Sequence, residues 1–312
     1  MVMDSRIGLG LAALGRPAYI NVGRVEELPA ARDVDAMRTA CHLVLDEAYA
    51  AGVRWIDVAR SYGLAERFLA EWLAERGHRD VTVSSKWGYA YVGGWRLDAA
   101  QHEAKEHSLT RFSVQWKETV ALLGDAVSLY QVHSLTPDSP VFADVALLAA
   151  LAELAAAGVR IGFSTSGPRQ SEAIERGLAL EVSGQRVFTA VQSTWNVLET
   201  SAESVLRQAH NDGNLVMLKE TLANGRLAVR PPRLLAELAT AHGVAPDALA
   251  VAAALARPWV DGVLVGPSST GQLSSNLDAG RVELDPDELD RLGALAEPPK
   301  DYWAYRSSLE WR

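Results

Sequence analysis

Cysteine is all but missing from this chain. Cys41 stands alone among 312 residues, which excludes an intramolecular disulfide and any cluster of thiolate metal ligands. It falls at helical spacing among Met37, Val44, Leu45 and Ala48 and reads as a small buried hydrophobe. Basic charge is also short: 30 Lys and Arg face 39 Asp and Glu, for a net charge of −9. Nucleic-acid backbones need clustered cations, so no such partner is expected. Long hydrophobic runs are lacking too, none approaching the roughly 20 residues that span a bilayer. The stretch 7–14 has neither the basic flank nor the cleavage pattern of a secretion signal. The expectation is a cytoplasmic protein without membrane or metal.

What is present is apolar residue in quantity, 48% of the chain, enough for a large core. Short β-branched runs at 7–12, 54–59, 81–86, 127–133, 159–164, 188–194, 215–220 and 262–266 alternate with longer segments of helical period at 34–51, 65–76, 112–123, 141–157, 170–180, 201–211 and 233–242. Several runs are continuously apolar, as parallel strands buried on both faces are. Eight strands alternating with helices indicate either a βα-barrel or a doubly wound sheet.

The polar residues that end these runs choose between the two. Asp57, Lys86, His133, Ser164, Gln192, Lys219 and Ser268 follow strands two to eight, mostly about 30 residues apart, the length of one βαβ unit. Only a barrel brings residues from so many strands to one point, at the C-terminal ends of its strands. The chain is therefore expected to form a single (β/α)8 barrel domain, residues 1–312, of the TIM-barrel class. Two segments exceed the frame: a long connection after strand three, 87–110, and an aromatic-rich C-terminal tail, 297–312. Trp87, Tyr89 and Trp303 in these segments are expected to wall a substrate pocket, since loops of that length are usually functional.

The cluster Asp57, Tyr62, Lys86 and His133 has a coherent chemistry. A free tyrosine, with a pKa of about 10, gives up its proton sluggishly at neutral pH. An ammonium beside the phenol lowers that pKa, and a carboxylate holds the ammonium. Tyr62 is then the general acid, Lys86 its tuner and Asp57 the partner of Lys86, while His133 hydrogen-bonds the oxygen that receives the proton. Sugar isomerase or aldolase chemistry would instead need paired metal-binding carboxylates or an isolated Schiff-base lysine.

These residues resemble the aldo-keto reductase family over nearly the whole chain. The resemblance rests on Asp57 with Tyr62-Gly63, on Lys86, on Leu129-Tyr130-Gln131-Val132-His133-Ser134, on Ile161-Gly162-Phe163-Ser164, on Gln192 before Asn196, and on Gly266-Pro267-Ser268-Ser269 followed by Gln272 and Asn276. It implies NADP(H) or else NAD(H), and reduction of an aldehyde or ketone, or oxidation of a sugar or alcohol in reverse. The partner implied is a small carbonyl compound or sugar; no oligomeric state is implied. It also implies that Ser164 and Gln192 hold the nicotinamide carboxamide. The segment Gly266, Ser268, Ser269, Gln272 and Asn276 would grip the adenosine end, as helix N-termini bind phosphate. Gly266 and Gln272 replace a basic pair common in the family, so strict NADPH selectivity is not implied. Lys219 replaces an aromatic that stacks on the nicotinamide. Because the family includes potassium-channel β-subunits, the alternative is a non-catalytic, nucleotide-sensing regulatory subunit; the complete tetrad favours turnover.

Overall fold

The β-branched runs pair in the order in which they occur. The structure, a computed structural model, describes residues 4–312. Its barrel strands are β1 (Ile7–Gly10), β2 (Trp55–Asp57), β3 (Thr82–Trp87), β4 (Val127–Leu135), β5 (Arg160–Thr165), β6 (Ala190–Thr194), β7 (Leu215–Lys219) and β8 (Gly262–Val265). Each pairs in parallel with the next, and β8 pairs with β1 to close the barrel. This is the (β/α)8 fold.

Most helices pack outside along one apolar stripe. In Val34–Ala50 the buried residues are Met37, Cys41, Val44, Leu45 and Ala48. Asp33 caps it, accepting from the Ala36 N–H, and Asp46 on its far side accepts from Trp72 Nε1 at 2.8 Å, tying it to Ala65–Arg76. Among the described residues, no single helix is long and apolar enough to cross a membrane.

Local capping moved several expected boundaries. The expected helix at 112–123 begins three residues earlier, at Leu109, because Ser108 accepts from Arg111 N. The expected helix at 141–157 divides into a short turn, Pro140–Phe142, and a helix, Val145–Ala156, because Asp144 accepts from Leu147 N. The long connection after β3 folds as an antiparallel hairpin, Tyr89–Tyr91 with Glu103–Lys105. The tail contains a helix, Pro299–Ser307, followed by an end that pairs with the loop after β1: Tyr19 and Arg312 exchange backbone hydrogen bonds at 2.9 and 3.1 Å.

Candidate active site

Parallel register sets the floor of the site. Asp57 lies beside Gly10 and Ser84, Lys86 beside Gln131, and Gln192 beside Ser164. Successive strand residues face opposite sides. Ser84 and Lys86 therefore point into the barrel, while Ser85 reaches Glu66 on the helical layer at 2.5 Å. Inside, Asp57 is surrounded by donors: Lys86 on one oxygen, and Ser84 Oγ at 2.6 Å, Gln192 Nε2 at 3.0 Å and Gln131 Nε2 at 3.5 Å on the other. Lys86 also donates to the Val58 carbonyl at 3.1 Å. A buried charge is tolerated when paired and hydrogen-bonded, and this pair meets both conditions.

Tyr62 stands in the turn after β2. The Lys86 Nζ lies 5.0 Å from its ring centroid, and the His133 ring meets it edge-on with centroids 5.5 Å apart. His133 Nδ1 lies 3.3 Å from Ser61 Oγ. Behind it, His107 Nε2 contacts the His133 carbonyl at 2.8 Å and His107 Nδ1 contacts Ser139 Oγ at 2.8 Å. A carbonyl only accepts, so Nε2 of His107 carries the proton and Nδ1 accepts from the serine. Burial, with a smaller push from Lys105, lowers the His107 pKa to about 4, in keeping with that neutral tautomer.

The phenol does not titrate in the expected direction. The Lys86 charge is matched by Asp57. Burial first, then the Asp57 carboxylate, lift Tyr62 well above its ordinary 10, with Arg16 opposing. The result is a phenol that keeps its proton throughout the neutral range. His133 is pushed well below its ordinary value by burial and then by the charges of Lys86, Lys219 and Arg16, so its imidazole is neutral.

A cavity of about 360 Å³ opens over these residues. Asp57, Tyr62, Tyr89, His133, Gln192 and Lys219 line one end; Gly266, Ser268, Gln272 and Asn276 line the other, beside Asp247. The loop after β1 crosses above it. Val22 N donates to the Asn224 carbonyl at 2.9 Å, Gln272 Nε2 to the Gly23 carbonyl at 3.3 Å, and Ser269 Oγ to Glu27 at 2.6 Å.

Two expected wall residues and one expected cofactor contact lie elsewhere. Trp87 is one residue past Lys86, so its ring faces outward and packs on Phe112, 5.2 Å between centroids. Trp303 is buried beneath the tail, edge-on to Tyr302 at 5.6 Å. Ser164 is buried behind the wall, its hydroxyl accepting from Ser134 N at 2.9 Å, and it is Ser134 and Ser166 that line the cavity. Tyr89 does line it, its ring 5.1 Å from that of His133.

The charged end of β7 has a structural partner that the sequence did not suggest. Lys219 donates to Thr194 Oγ1 at 2.8 Å and lies 3.5 Å from Glu220, and Arg306 of the tail helix grips Glu220 at 2.6 to 3.1 Å. Burial lowers the Lys219 pKa to about 8. Burial would raise Glu220, but Arg306 and then Lys219 outweigh it and hold that carboxyl at about 2.

At the other end, Ser269 caps the helix Thr270–Leu277, accepting from Gln272 N at 3.2 Å. The Gln272 side chain accepts from Ser268 N at 2.8 Å. Asn276 gives its amide N–H to Asp247 at 2.7 Å, leaving its carbonyl oxygen buried without a partner among the described residues. That acceptor, one turn beyond Gln272 on the same helix face, fits a hydrogen-bond donor on the polar edge of a bound nucleotide. Sequence reasoning missed Glu27, Asp247, His107 and Arg16, because nothing in their local pattern ties them to residues so distant in the chain.

The model of the Aldo/keto reductase family matches residues 6–297. Protein tas from Escherichia coli (strain K12) is 24% identical, across 81% of this chain and 88% of that protein, and Protein tas from Shigella flexneri matches to the same extent. Among solved structures, an aldo-keto reductase from Bacillus halodurans in its holo form superposes with a TM-score of 0.68 at 21% identity, covering 94% of this chain and 92% of that one. At that identity the structural likeness speaks for the fold.

Proposed function

This chain belongs to the aldo/keto reductase family, whose members are NAD(P)-dependent oxidoreductases, and we propose that it reduces the carbonyl of a small aldehyde or ketone with Tyr62 as the proton donor. One observation carries the reading: Asp57, Tyr62 and His133 line one end of a cavity, with Lys86 buried behind them, paired to Asp57 and 5.0 Å from the Tyr62 ring.

A bound nicotinamide cofactor would supply the hydride. Tyr62, held neutral by burial, passes its phenolic proton to the carbonyl oxygen. Lys86 then stabilises the phenolate that remains, and Asp57 fixes Lys86 in place. His133 is neutral; with Nδ1 accepting from Ser61, its Nε2–H is free to hydrogen-bond the same carbonyl oxygen and polarise it. In reverse, Tyr62 as phenolate accepts the proton of an alcohol or sugar.

Gly266, Ser268, Gln272 and Asn276 would hold the adenosine end, and Gln192 and Lys219 lie where the nicotinamide end would reach. Ser269 would act through its cap on the helix. A 2′-phosphate there would meet neutral donors and the Glu27 carboxylate rather than a cation, so both NADPH and NADH are accepted with small discrimination.

The test is consumption of reduced nicotinamide with a panel of aldehydes and ketones. Tyr62→Phe should lose on the order of 10²- to 10⁴-fold in turnover while titrations show cofactor affinity retained. A variant that keeps more than about half the wild-type rate would overturn Tyr62 as the acid.

A further inference from the structure

One group at the catalytic end has no part in that chemistry. Arg16, in the loop after β1, lines the cavity and is 1% exposed. Its guanidinium is stacked against Tyr19 at 4.5 Å and Trp311 at 4.7 Å, and it lies 5.3 Å from the centroid of the Tyr62 ring. A single nitrogen makes all its hydrogen bonds: Nη1 donates to the Ser61 carbonyl at 3.0 Å and to Glu103 at 2.6 Å. Among the described residues, Nε is buried with no partner and Nη2 donates to none.

The neighbouring Arg24 shows what a purely structural arginine looks like here. It is as deeply buried, and all three of its nitrogens are satisfied by the carbonyls of Ala13, Arg16, Pro17 and Arg312. Arg16 instead leaves unpaired, among the described residues, the Nε–Nη2 edge, the side of a guanidinium that receives both oxygens of a carboxylate in parallel. Glu103 binds from the other edge and fixes the orientation of the fork. The surrounding charges leave room for an anion. Lys86 is paired with Asp57, Lys219 and Arg306 share Glu220, and Arg16 has Glu103, so these groups hold one more cation than carboxylates. Arg24, bonded only to carbonyls, adds a further positive charge.

We propose that Arg16 binds the carboxylate of the substrate, so that the enzyme acts on oxo acids whose carboxylate lies within a few bonds of the carbonyl protonated by Tyr62. The proposal rests on the carbonyl-reductase reading above. Trp311 and Tyr19, stacked on the guanidinium, exclude water from the contact and restrict it to short or flat substrates.

Kinetics on matched pairs test this: glyoxylate, 4-oxobutanoate and 4-carboxybenzaldehyde, each against its methyl ester, which keeps the carbonyl and removes the charge. For at least one pair the wild-type enzyme should favour the acid in kcat/KM by on the order of 10- to 100-fold, mostly through KM. Arg16→Met should bring that ratio to about one, and Arg16→Lys, which keeps the charge but loses the fork, should fall between. Because each ratio is taken within one protein, loss of folded enzyme cancels. If wild-type enzyme reduces every ester as well as its acid, the carboxylate site is wrong and the carbonyl-reductase reading stands; if no carbonyl compound of any charge is reduced, the reading itself fails. A fall in NADPH and NADH affinity in Arg16→Met, with the acid-to-ester ratio unchanged, would assign Arg16 to the cofactor and overturn the proposal.

Discussion

Gly15 and Gly63 lie backbone against backbone. Leu64 N donates to the Gly15 carbonyl at 2.7 Å, a Cβ on Gly15 would fall 2.2 Å from the Tyr62 carbonyl, and a Cβ on Gly63 would fall 2.4 Å from the Gly15 carbonyl. Gly63 also has a φ of +61°, where side chains are strained. The contact presses the loop after β1 onto the turn that carries Tyr62, so the proposed acid is positioned by two glycines distant from each other in sequence. Gly15→Ala should therefore cost about 1–3 kcal/mol of stability and lower kcat more than it raises KM, because Tyr62 moves. Denaturant unfolding and steady-state kinetics on one preparation check it; an unchanged kcat would show that the contact does not place the phenol.

The pH profile should be broad. Tyr62 is lifted by burial and then by Asp57, so the phenol keeps its proton, and His133 is depressed by burial and then by Lys86, so the imidazole stays uncharged. Reduction should accordingly be flat from about pH 6 to about pH 9. In Lys86→Met the Asp57 carboxylate acts on the phenol unopposed, lifting it further and slowing proton transfer. Single-turnover rates across pH decide this; an alkaline fall centred below about pH 9 in the wild-type protein would contradict the raised phenol.

Cofactor preference should respond to Glu27, whose carboxylate accepts from Ser269 at 2.6 Å where the helix Thr270–Leu277 begins. Glu27→Gln removes a repulsion from a 2′-phosphate and should tighten NADPH a few-fold, about the worth of one exposed charge, with NADH little changed. Gln272→Arg should act in the same direction. Equilibrium fluorescence titration with both cofactors is the measurement, and equal shifts for the two would place the 2′-position elsewhere.

Arg306 should matter to stability through Glu220. The carboxyl titrates at about 2 when folded, against an ordinary 4.5, because Arg306 and Lys219 overcome burial. A depressed carboxyl contributes stability that is complete above the unfolded value and is lost as pH falls from 4.5 through about 2. Breaking the grip in Arg306→Met should cost about 3 kcal/mol at neutral pH, and the gap from wild type should narrow below about pH 4. Urea unfolding at the two pH values reads both; a gap independent of pH would mean that the loss is packing of the tail helix alone.

Much of this protein is written in short-range pattern. Alternating apolar runs determine the eight strands and the helices between them, and parallel pairing then forces Asp57, Lys86 and His133 to one end, because each lies at or within two residues of the C-terminal end of its own strand. Even the misplaced Trp87 was legible, since a residue next to Lys86 in a strand must face the opposite way. Helix starts at Leu109 and Val145 were decided by Ser108 and Asp144, single caps that a search for periodicity passes over. Other features needed the closed barrel. Whether a phenol is lifted or lowered depends on how deeply it is buried and on which charges are already paired, and both are settled only when strands from across the chain close around it. Arg16 reaches Tyr62, and Glu27 reaches Ser269, only because one loop crosses the mouth of the barrel, and Arg306 reaches Glu220 because the tail helix folds back over it. Local sequence fixes the direction of a strand's side chains through the backbone's own geometry; which loop lies over which strand end is set by the packing of the whole.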